Sequence, residues 1–204
     1  MYTMSTAKDC ILELLKQKNY TGTFVEVGTW IGEFAEVLLK RTACNKLYCV
    51  DPYAYFNNFT YCDAMNFTLQ FEADKYYLQT KNRLEQVAGP ERVEVVRKMS
   101  MEAVNDFADG SLDFVYIDAN HEYKHALEDI LAWYPKVKPG GILAGDDVYS
   151  TRLEDYTNNN MLLKFDENGT SWGVFGVYPA VLEAQRQLGI QFTVYGTQFY
   201  YVKA

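Results

Sequence analysis

Residues 23–34 read Thr-Phe-Val-Glu-Val-Gly-Thr-Trp-Ile-Gly-Glu-Phe, an apolar strand that runs into a glycine turn and then into an amphipathic helix. Glycine at positions 28 and 32 lets the backbone turn and lets a ligand approach closely, because glycine has no side chain. The next strand ends at Val50-Asp51, about 20 residues beyond the turn, where a carboxylate can hold a ribose. These features predict a site for a ligand that contains a nucleoside.

The composition is that of an ordinary globular protein. The chain has 204 residues, of which 49% are hydrophobic and 23% charged, and we expect one domain over residues 1–204. No stretch has the length of a membrane span, and the first residues lack the pattern of a signal peptide. We therefore expect a cytoplasmic protein without a membrane partner.

The net charge and the cysteine spacing argue against two functional classes, nucleic-acid binding and zinc binding. A formal net charge of −8 argues against a nucleic-acid substrate, because proteins that bind nucleic acids usually carry a basic face. The cysteines lack the paired spacing of a zinc site and are expected to be reduced, structural thiols. They are Cys10, Cys44, Cys49 and Cys62.

Strands and helices alternate along most of the chain. Apolar runs predict strands at 23–28, 46–50, 93–97, 112–117 and 141–145. Helical periodicity predicts helices at 5–18, 31–41, 67–87, 100–107, 123–134 and 174–188. This alternation predicts an α/β fold, a parallel sheet with helices on both faces.

The end of the chain departs from this alternation. Residues 191–195 and 199–203 flank Gly196-Thr197, a turn too short for a crossover helix, so an antiparallel hairpin should close the sheet. Two long connections, 52–66 and 148–172, are rich in aromatic residues and asparagine. Both should leave the carboxyl edge of the sheet and act as binding loops, although a disordered insertion is the alternative.

The glycine spacing indicates which kind of nucleoside cofactor the site would bind. A dinucleotide fingerprint has three glycines spaced G-x-G-x-x-G, whereas this turn reads Glu26-Val-Gly28-Thr-Trp-Ile-Gly32. A phosphate loop of the G-x-x-x-x-G-K-[ST] type is also missing from the sequence. A ligand with a ribose but no phosphate fits better, which favours S-adenosylmethionine (SAM) over a nicotinamide dinucleotide.

The chain resembles the class I SAM-dependent methyltransferases over nearly all its length. Within them it is similar to small-molecule O-methyltransferases of the macrocin and catechol types. The likeness is carried by Phe114-Val-Tyr-Ile-Asp118-Ala-Asn-His121-Glu-Tyr123, Asp129, Trp133-Tyr-Pro135, Pro139-Gly-Gly141 and Gly145-Asp146-Asp147. The resemblance implies a Rossmann-like, seven-stranded, mostly parallel sheet with a reversed last strand.

The resemblance also implies where SAM would bind. The ribose hydroxyls would lie on the Asp51 carboxylate, and the adenine between Met99 and Ser100. The complete cofactor-binding set is Glu26, Gly28, Thr29, Trp30, Gly32, Asp51, Met99, Ser100 and Asp118. One position departs from the pattern, because catechol-type relatives have a small hydroxyl residue where this chain has Phe34.

Three carboxylates follow two neighbouring strands. Asp118 ends the fourth predicted strand, and Asp146 and Asp147 end the fifth, so the three should converge at one edge of the sheet. Like charges this close repel unless a cation neutralises them, and oxygen ligands suit Mg²⁺. The resemblance implies the same metal position. The alternative is that Asp146 or Asp147 caps a helix and Asp118 orients a loop.

His121 is the candidate general base. It follows Asp118 by three residues, on the loop that opens toward the site, and imidazole titrates near neutral pH. Sugar-modifying relatives often have histidine at this position, whereas catechol-type relatives have lysine. A surface or helix-capping histidine is the alternative. His125, one turn further along the predicted helix, is expected to be a solvated residue.

These observations predict an O-methyltransferase that transfers a methyl group from SAM to a small polyhydroxylated acceptor, with Mg²⁺ assistance. A sugar is favoured, such as a deoxysugar like rhamnose in a glycan or glycoside, and a catechol or phenol is the alternative. Methylation of DNA is disfavoured, because Asp118-Ala-Asn stands where such enzymes have Asp/Asn-Pro-Pro-Tyr. A non-catalytic SAM-binding module would be expected to lack Asp118 or His121. A homodimer is compatible with the sequence.

Overall fold

The computed structural model describes residues 6–56, 67–165 and 171–204. The described strands are β1 (Thr23–Val27), β2 (Lys46–Val50), β3 (Val93–Val96), β4 (Leu112–Ile117), β5 (Val137–Gly145), β6 (Leu162–Phe165), β7 (Ser171–Phe175), β8 (Thr193–Tyr195) and β9 (Gln198–Val202). The described helices are α1 (Thr6–Gln17), α2 (Glu33–Arg41), α3 (Gln70–Ala88), α4 (Ser100–Ala103), α5 (Tyr123–Trp133) and α6 (Val177–Leu188). None of these helices combines the length and the apolar character that crossing a bilayer requires.

Seven strands form one sheet in the order β3-β2-β1-β4-β5-β9-β8. The first five pair in parallel, and β9 runs antiparallel to both β5 and β8. The predicted α/β fold, with a mostly parallel sheet and a terminal antiparallel hairpin, is therefore confirmed. The remaining strands, β6 and β7, pair with each other as a separate antiparallel hairpin.

The sheet is buried on both faces. Phe24 and Val25 are neighbours on β1, and both are fully buried, because successive side chains of a strand point to opposite faces. Phe24 packs in a cluster with apolar residues of α1, α2 and α3, and Val25 packs in a second cluster with residues of α4, α5 and α6. Helices on both faces, as predicted, therefore supply the two halves of the core.

The hairpin of β6 and β7 is the main element that the sequence pattern missed. β6 lies inside the predicted loop 148–172, whereas β7 begins at the end of this loop and runs on to Phe175; residues 166–170 fall outside the described ranges. The predicted helix at 174–188 therefore begins only at Val177, after Gly176 ends the pairing. The predicted helix at 100–107 is also shorter, because α4 is followed by a 3-10 turn at Val104–Asp106.

The described cysteines are free thiols. Cys44 and Cys49 are buried, and Cys10 is half-buried, in agreement with the prediction of reduced, structural residues. Burial raises the pKa of all three thiols, so they stay protonated and poorly reactive. Cys62 lies outside the described residues, as does most of the predicted binding loop at 52–66.

Candidate active site

A cavity of about 400 Å³ opens above the carboxyl ends of β1, β2 and β4. Parallel sheets bind their ligands at this edge, and the volume lies in the range of small-molecule sites. All but one of the predicted cofactor residues line the cavity. They are Glu26, Gly28, Thr29, Trp30, Asp51, Met99, Ser100 and Asp118.

Gly28 brings the first turn against the end of β4. Its φ angle is +89°, and a Cβ atom there would lie 2.0 Å from the backbone oxygen of Asp118. Only glycine tolerates both conditions. Its N–H also donates to the carbonyl of Val50 at 2.8 Å. The glycine therefore sets the position of Asp118 beside the turn.

Trp30 holds the turn in a strained conformation, with a φ angle of +48°. Its N–H donates to Asp51 Oδ2 at 2.9 Å, and its carbonyl accepts from the hydroxyls of Tyr53 at 2.5 Å and Thr80 at 3.1 Å. The indole stacks on Tyr76 with the ring centroids 5.0 Å apart. These contacts fix both the peptide and the ring, so the turn is preorganised.

Asp51 is oriented by the backbone of the turn. Its Oδ1 accepts from the N–H of Tyr53 at 3.0 Å, and its Oδ2 accepts from that of Trp30. Burial raises the pKa of the carboxyl group. Each carboxylate oxygen has two lone pairs, so both can also accept a hydrogen bond from a ribose hydroxyl.

Gly32 is the predicted cofactor residue that the structure places away from the cavity. It precedes α2 in a left-handed conformation with φ of 76°. A Cβ atom there would lie 3.0 Å from Thr80 Cγ2 and 3.2 Å from Leu84 Cδ1, both on α3. Gly32 therefore begins the helix and lets α3 pack closely, and the cofactor role predicted for it stays a prediction.

Glu26 lies at the bottom of the cavity and is only 2% exposed. Burial, together with the charge of Asp118, raises the pKa of Glu26 to about 8. Among the described residues, its Oε2 and the hydroxyl of Thr29 make no hydrogen bond. Buried polar atoms without protein partners are rare and point to a ligand. A ligand with a cationic, hydrogen-bonding group, such as the methionine part of SAM, fits this position.

His121 lies between the two carboxylates of Asp118 and Asp147. Its Nε2 is 2.6 Å from Asp147 Oδ2 and 3.6 Å from Asp118 Oδ1. The imidazole stacks on Phe175 of β7, with the centroids 5.5 Å apart. Asp147 has a φ angle of +65°, which turns its side chain away from the regular strand direction. The structure thus joins three predicted residues into one cluster.

Lys8 of α1 is a residue of this site that the sequence did not reveal. Its Nζ lies 2.9 Å from Asp118 Oδ2 and 3.0 Å from Asp146 Oδ2. It also lies over the rings of Phe34 and Tyr116, at 5.1 and 5.4 Å from their centroids. Burial acts to lower the pKa of Lys8, but the two carboxylates outweigh it and raise the pKa. The lysine is therefore a permanent cation inside the site.

The charge of Asp118 follows from these neighbours. Burial acts to raise the pKa of Asp118, but hydrogen bonding to His121 and the charge of Lys8 outweigh it and hold the pKa at about 2. Asp118 therefore stays ionised under any working condition. It connects the cation on α1 with the imidazole on the loop after β4.

Asp146 is occupied by contacts within the protein. Its Oδ1 accepts from the Thr197 hydroxyl at 2.7 Å, from the Asp147 N–H at 2.8 Å and from the Gln198 amide. Its Oδ2 binds Lys8. Burial, followed by the charge of Asp118, raises the pKa of Asp146. This residue anchors the terminal hairpin to β5.

The predicted Mg²⁺ site at Asp118, Asp146 and Asp147 does not fit this arrangement. The carboxylates converge as predicted, but Lys8 pairs with Asp118 and Asp146, and His121 lies 2.6 Å from Asp147, so these are not the unpaired acids that the prediction assumed. The side chains that could share one ion are instead Asp118, His121 and Asp147. That set includes a nitrogen atom, whereas Mg²⁺ prefers oxygen ligands.

Further wall residues come from α5. Ser100 donates to Asp129 Oδ1 at 2.5 Å and accepts from the Trp133 indole at 2.9 Å. Burial raises the pKa of Asp129 to about 7. His125 lines the cavity one helical turn beyond His121 with its side chain 29% exposed, so the expectation of a solvated residue is not contradicted. The place of both residues in the cavity wall was not predicted, because the packing of α5, not its periodicity, decides which residues face the cavity.

The strand order, the reversed β9 and the cavity at the carboxyl edge agree with the Rossmann-like methyltransferase fold. Residues 25–148 match a protein family described as a methyltransferase domain. The matched range is more than half of the chain, so the chain belongs to this family. No curated protein is similar enough to the chain to count as a match.

Several solved structures share the fold at low sequence identity. The complex of DhpI with SAM and HEP is 15% identical, with a TM-score of 0.57 over 97% of this chain and 85% of that one. The 1,6-didemethyltoxoflavin-N1-methyltransferase of Burkholderia thailandensis is 10% identical, with a TM-score of 0.56 over 98% and 80%. An rRNA methylase of Streptococcus thermophilus is 14% identical, with a TM-score of 0.55 over 98% and 96%. Their names differ in acceptor, so the fold alone does not fix the acceptor.

Proposed function

We propose that this protein transfers a methyl group from SAM to a hydroxyl group of a small polyhydroxylated acceptor, and that the acceptor is a sugar such as a deoxysugar in a glycan or glycoside. The observation that carries the proposal is the imidazole of His121 between two carboxylates, at the edge of a cavity whose glycine turn suits SAM. The solved complexes of DhpI with SAM, and of the toxoflavin enzyme with S-adenosylhomocysteine, support the choice of donor.

The residues of the cavity suit this donor in three places. Asp51 offers carboxylate oxygens to the ribose, and Glu26 offers an unpartnered oxygen to a cationic group. Ser100 and Asp129 offer a hydroxyl and a carboxyl to the adenine edge. When bound, SAM supplies an activated methyl group that reacts by in-line displacement.

His121 acts as the general base in this proposal. The acceptor hydroxyl gives its proton to the imidazole, and its oxygen is then able to form the new bond to carbon. Asp147, with an oxygen 2.6 Å from Nε2, orients the ring and stabilises the imidazolium that forms. Asp118 places a second negative charge 3.6 Å from the same nitrogen, Nε2, and so also stabilises the imidazolium.

An aromatic wall stands beside this base. Phe175 stacks on His121, and Tyr149 meets Phe175 edge to face with the centroids 4.4 Å apart. A sugar ring can pack its apolar face on such a wall while its hydroxyl groups reach the carboxylates. The same wall would accept a catechol or another phenol, which is the second candidate acceptor for that reason.

Mg²⁺ assistance has no place in this mechanism. Two of the three carboxylates predicted to bind the ion, Asp118 and Asp146, are paired with Lys8, and Asp146 is also bound to the terminal hairpin. Apart from the methyl group that SAM would supply, the steps above use only side chains of this protein.

An acceptor screen tests the proposal. The purified protein is incubated with SAM and a panel of rhamnosides, other glycosides and catechols, and S-adenosylhomocysteine and the methylated product are measured. We expect turnover with glycosides and a methyl ether in the product. Turnover with catechols alone would support the second candidate. Binding of NAD but not of SAM in calorimetry would overturn the class of reaction.

A further inference from the structure

We propose that the ammonium group of Lys8 occupies the position that a divalent cation has in metal-assisted O-methyltransferases, so that this site is complete without a metal. This inference rests on the proposed function for its mechanistic meaning. The occupied position itself is a property of the structure, because Lys8 lies between Asp118 and Asp146 with near-equal distances to both.

The first argument concerns geometry. The ammonium group bridges one carboxylate at the end of β4 and one at the end of β5, which are adjacent in the sheet. A metal ion shared by the same carboxylates would have to stand where Nζ stands. A divalent ion placed next to an ammonium group is strongly repelled in a buried site. The lysine and the metal therefore exclude each other.

The second argument concerns how the lysine is held. Nζ lies over the rings of Phe34 and Tyr116, and rings attract a cation that approaches their faces. Tyr116 is fully buried, and Phe34 is 5% exposed, so both rings are fixed. Phe34 replaces the small hydroxyl residue of catechol-type relatives. The phenylalanine at position 34, which differs from the residue in catechol-type relatives, thus provides the ring that binds the ammonium group.

The third argument concerns the anchoring of α1. Ile11, Leu12 and Leu15 are buried in the core, with Ile11 and Leu12 fully inaccessible. Lys8 lies one helical turn before this apolar surface, so its backbone is held at a defined distance from the carboxylates. The position of the Lys8 ammonium group is therefore fixed by the packing of α1 against the core.

Lys8 acts in this proposal as a positioning residue. It keeps Asp118 ionised and in place beside His121, and it joins the strand ends that carry both halves of the site. An ammonium group has three N–H donors, and two of them serve the carboxylates. The third can donate to an acceptor oxygen, because Lys8 lines the cavity.

Metal binding provides a test that does not need turnover. Binding of Mn²⁺ to the ligand-free protein is measured by electron paramagnetic resonance for the wild type, Lys8→Ala, Lys8→Met and Lys16→Ala. We expect Lys8→Ala to bind Mn²⁺ at least roughly tenfold more tightly than the wild type, because the cation position is vacated between two carboxylates. Lys8→Met fills the space, and Lys16→Ala removes an exposed lysine of the same helix, so neither should gain affinity. Equal affinity of the wild type and Lys8→Ala would overturn the proposal.

Turnover then tests the mechanistic meaning. We expect wild-type activity to be unchanged by EDTA, and Lys8→Met to lose roughly tenfold to a hundredfold in kcat, the scale of a charge-assisted hydrogen bond. The affinity for SAM should stay near the wild-type value in the same variant, and Mg²⁺ or Mn²⁺ should restore part of the activity of Lys8→Ala but not of Lys8→Met. Loss of wild-type activity in EDTA, recovered with Mg²⁺, would contradict the inference. If no hydroxyl acceptor is found at all, the proposed function fails while the Mn²⁺ measurement still decides the role of the Lys8 position.

Discussion

The imidazole of His121 is held on three sides, by two carboxylates and the ring of Phe175. We predict that His121→Ala lowers kcat by about a hundredfold or more, the usual scale for a general base. The affinity for SAM should be retained, because the glycine turn and Asp51 are unchanged. Steady-state kinetics and calorimetry measure the two quantities. The complementary variant is Asp51→Ala, which should weaken SAM binding; equal loss of SAM affinity in both variants would contradict this division of roles.

The backbone of Gly28 is a second constraint at the scale of one residue. We predict that Gly28→Ala destabilises the protein by about 3 kcal/mol or more, because the added methyl meets the Asp118 carbonyl at 2.0 Å and the φ angle is positive. Gly110→Ala is the matched control, since its φ is +66° but no atom lies within 4 Å of the added Cβ. It should cost only about 1 kcal/mol. Urea unfolding compares the two, and similar losses would show that the close approach is unimportant.

The terminal hairpin and β5 are connected by a buried polar cluster. Gln198 of β9 is fully buried, accepts from the Tyr116 hydroxyl at 2.6 Å and donates to Asp146. We predict that Gln198→Leu lowers the free energy of unfolding by about 2 kcal/mol, because it leaves two buried polar groups without this partner. Gln187→Leu changes an exposed glutamine of α6 and should have little effect. Thermal unfolding of both variants checks this, and an unchanged midpoint for Gln198→Leu would disprove the stabilising role of the cluster.

The elements also show why some structure could be predicted and some could not. β2 and β4 have the bounds expected from the sequence, because both are short and consist mostly of apolar residues, as buried parallel strands do. The β6–β7 hairpin has no such contrast: it lies among asparagine- and tyrosine-rich segments and pairs only with itself. β5 begins four residues before its predicted start, since the Pro-Gly-Gly segment reads as a break but is accommodated at a register shift against β4.

Two buried carboxyl groups should govern the pH dependence of the whole molecule. Burial raises the pKa of Glu26 from 4.5 to about 8 and that of Asp129 from 3.8 to about 7. At a pH between the unfolded-state and the folded-state pKa of each group, the folded state binds more protons than the unfolded state. The free energy of unfolding therefore falls as the pH rises through this range. The stabilising contribution is complete below the unfolded-state pKa values and is lost once the pH exceeds the folded-state values.

We therefore predict that the ligand-free protein is less stable at pH 8 than at pH 5, and that Glu26→Gln reduces this difference. Glutamine keeps the shape of the protonated side chain and cannot ionise. Urea unfolding at several pH values measures the effect. Glu94→Gln, at an exposed position on β3, is the control. An equal pH dependence in wild type and Glu26→Gln would refute the assignment.

For the whole molecule, the local sequence pattern was enough to predict where the strands end. The remaining residues of the site come from tertiary contacts, which the local pattern does not show. Asp51, Asp118 and His121 follow predicted strands, and the sheet topology brings them to one edge. Lys8 gave no local signal, because its partner carboxylates lie far away in the chain and the docking of α1 brings them together. For the same reason the metal prediction did not include Lys8, since a cation from a distant helix cannot be read from the spacing of three acids.

Asp146 receives Lys8 from the first described helix and Gln198 from the last described strand. During translation these two partners leave the ribosome at very different times. A growing chain that has made the glycine turn and the central strands still lacks the contacts that fix this carboxylate. The contacts that fix this carboxylate should therefore form late in folding, after the terminal hairpin has emerged.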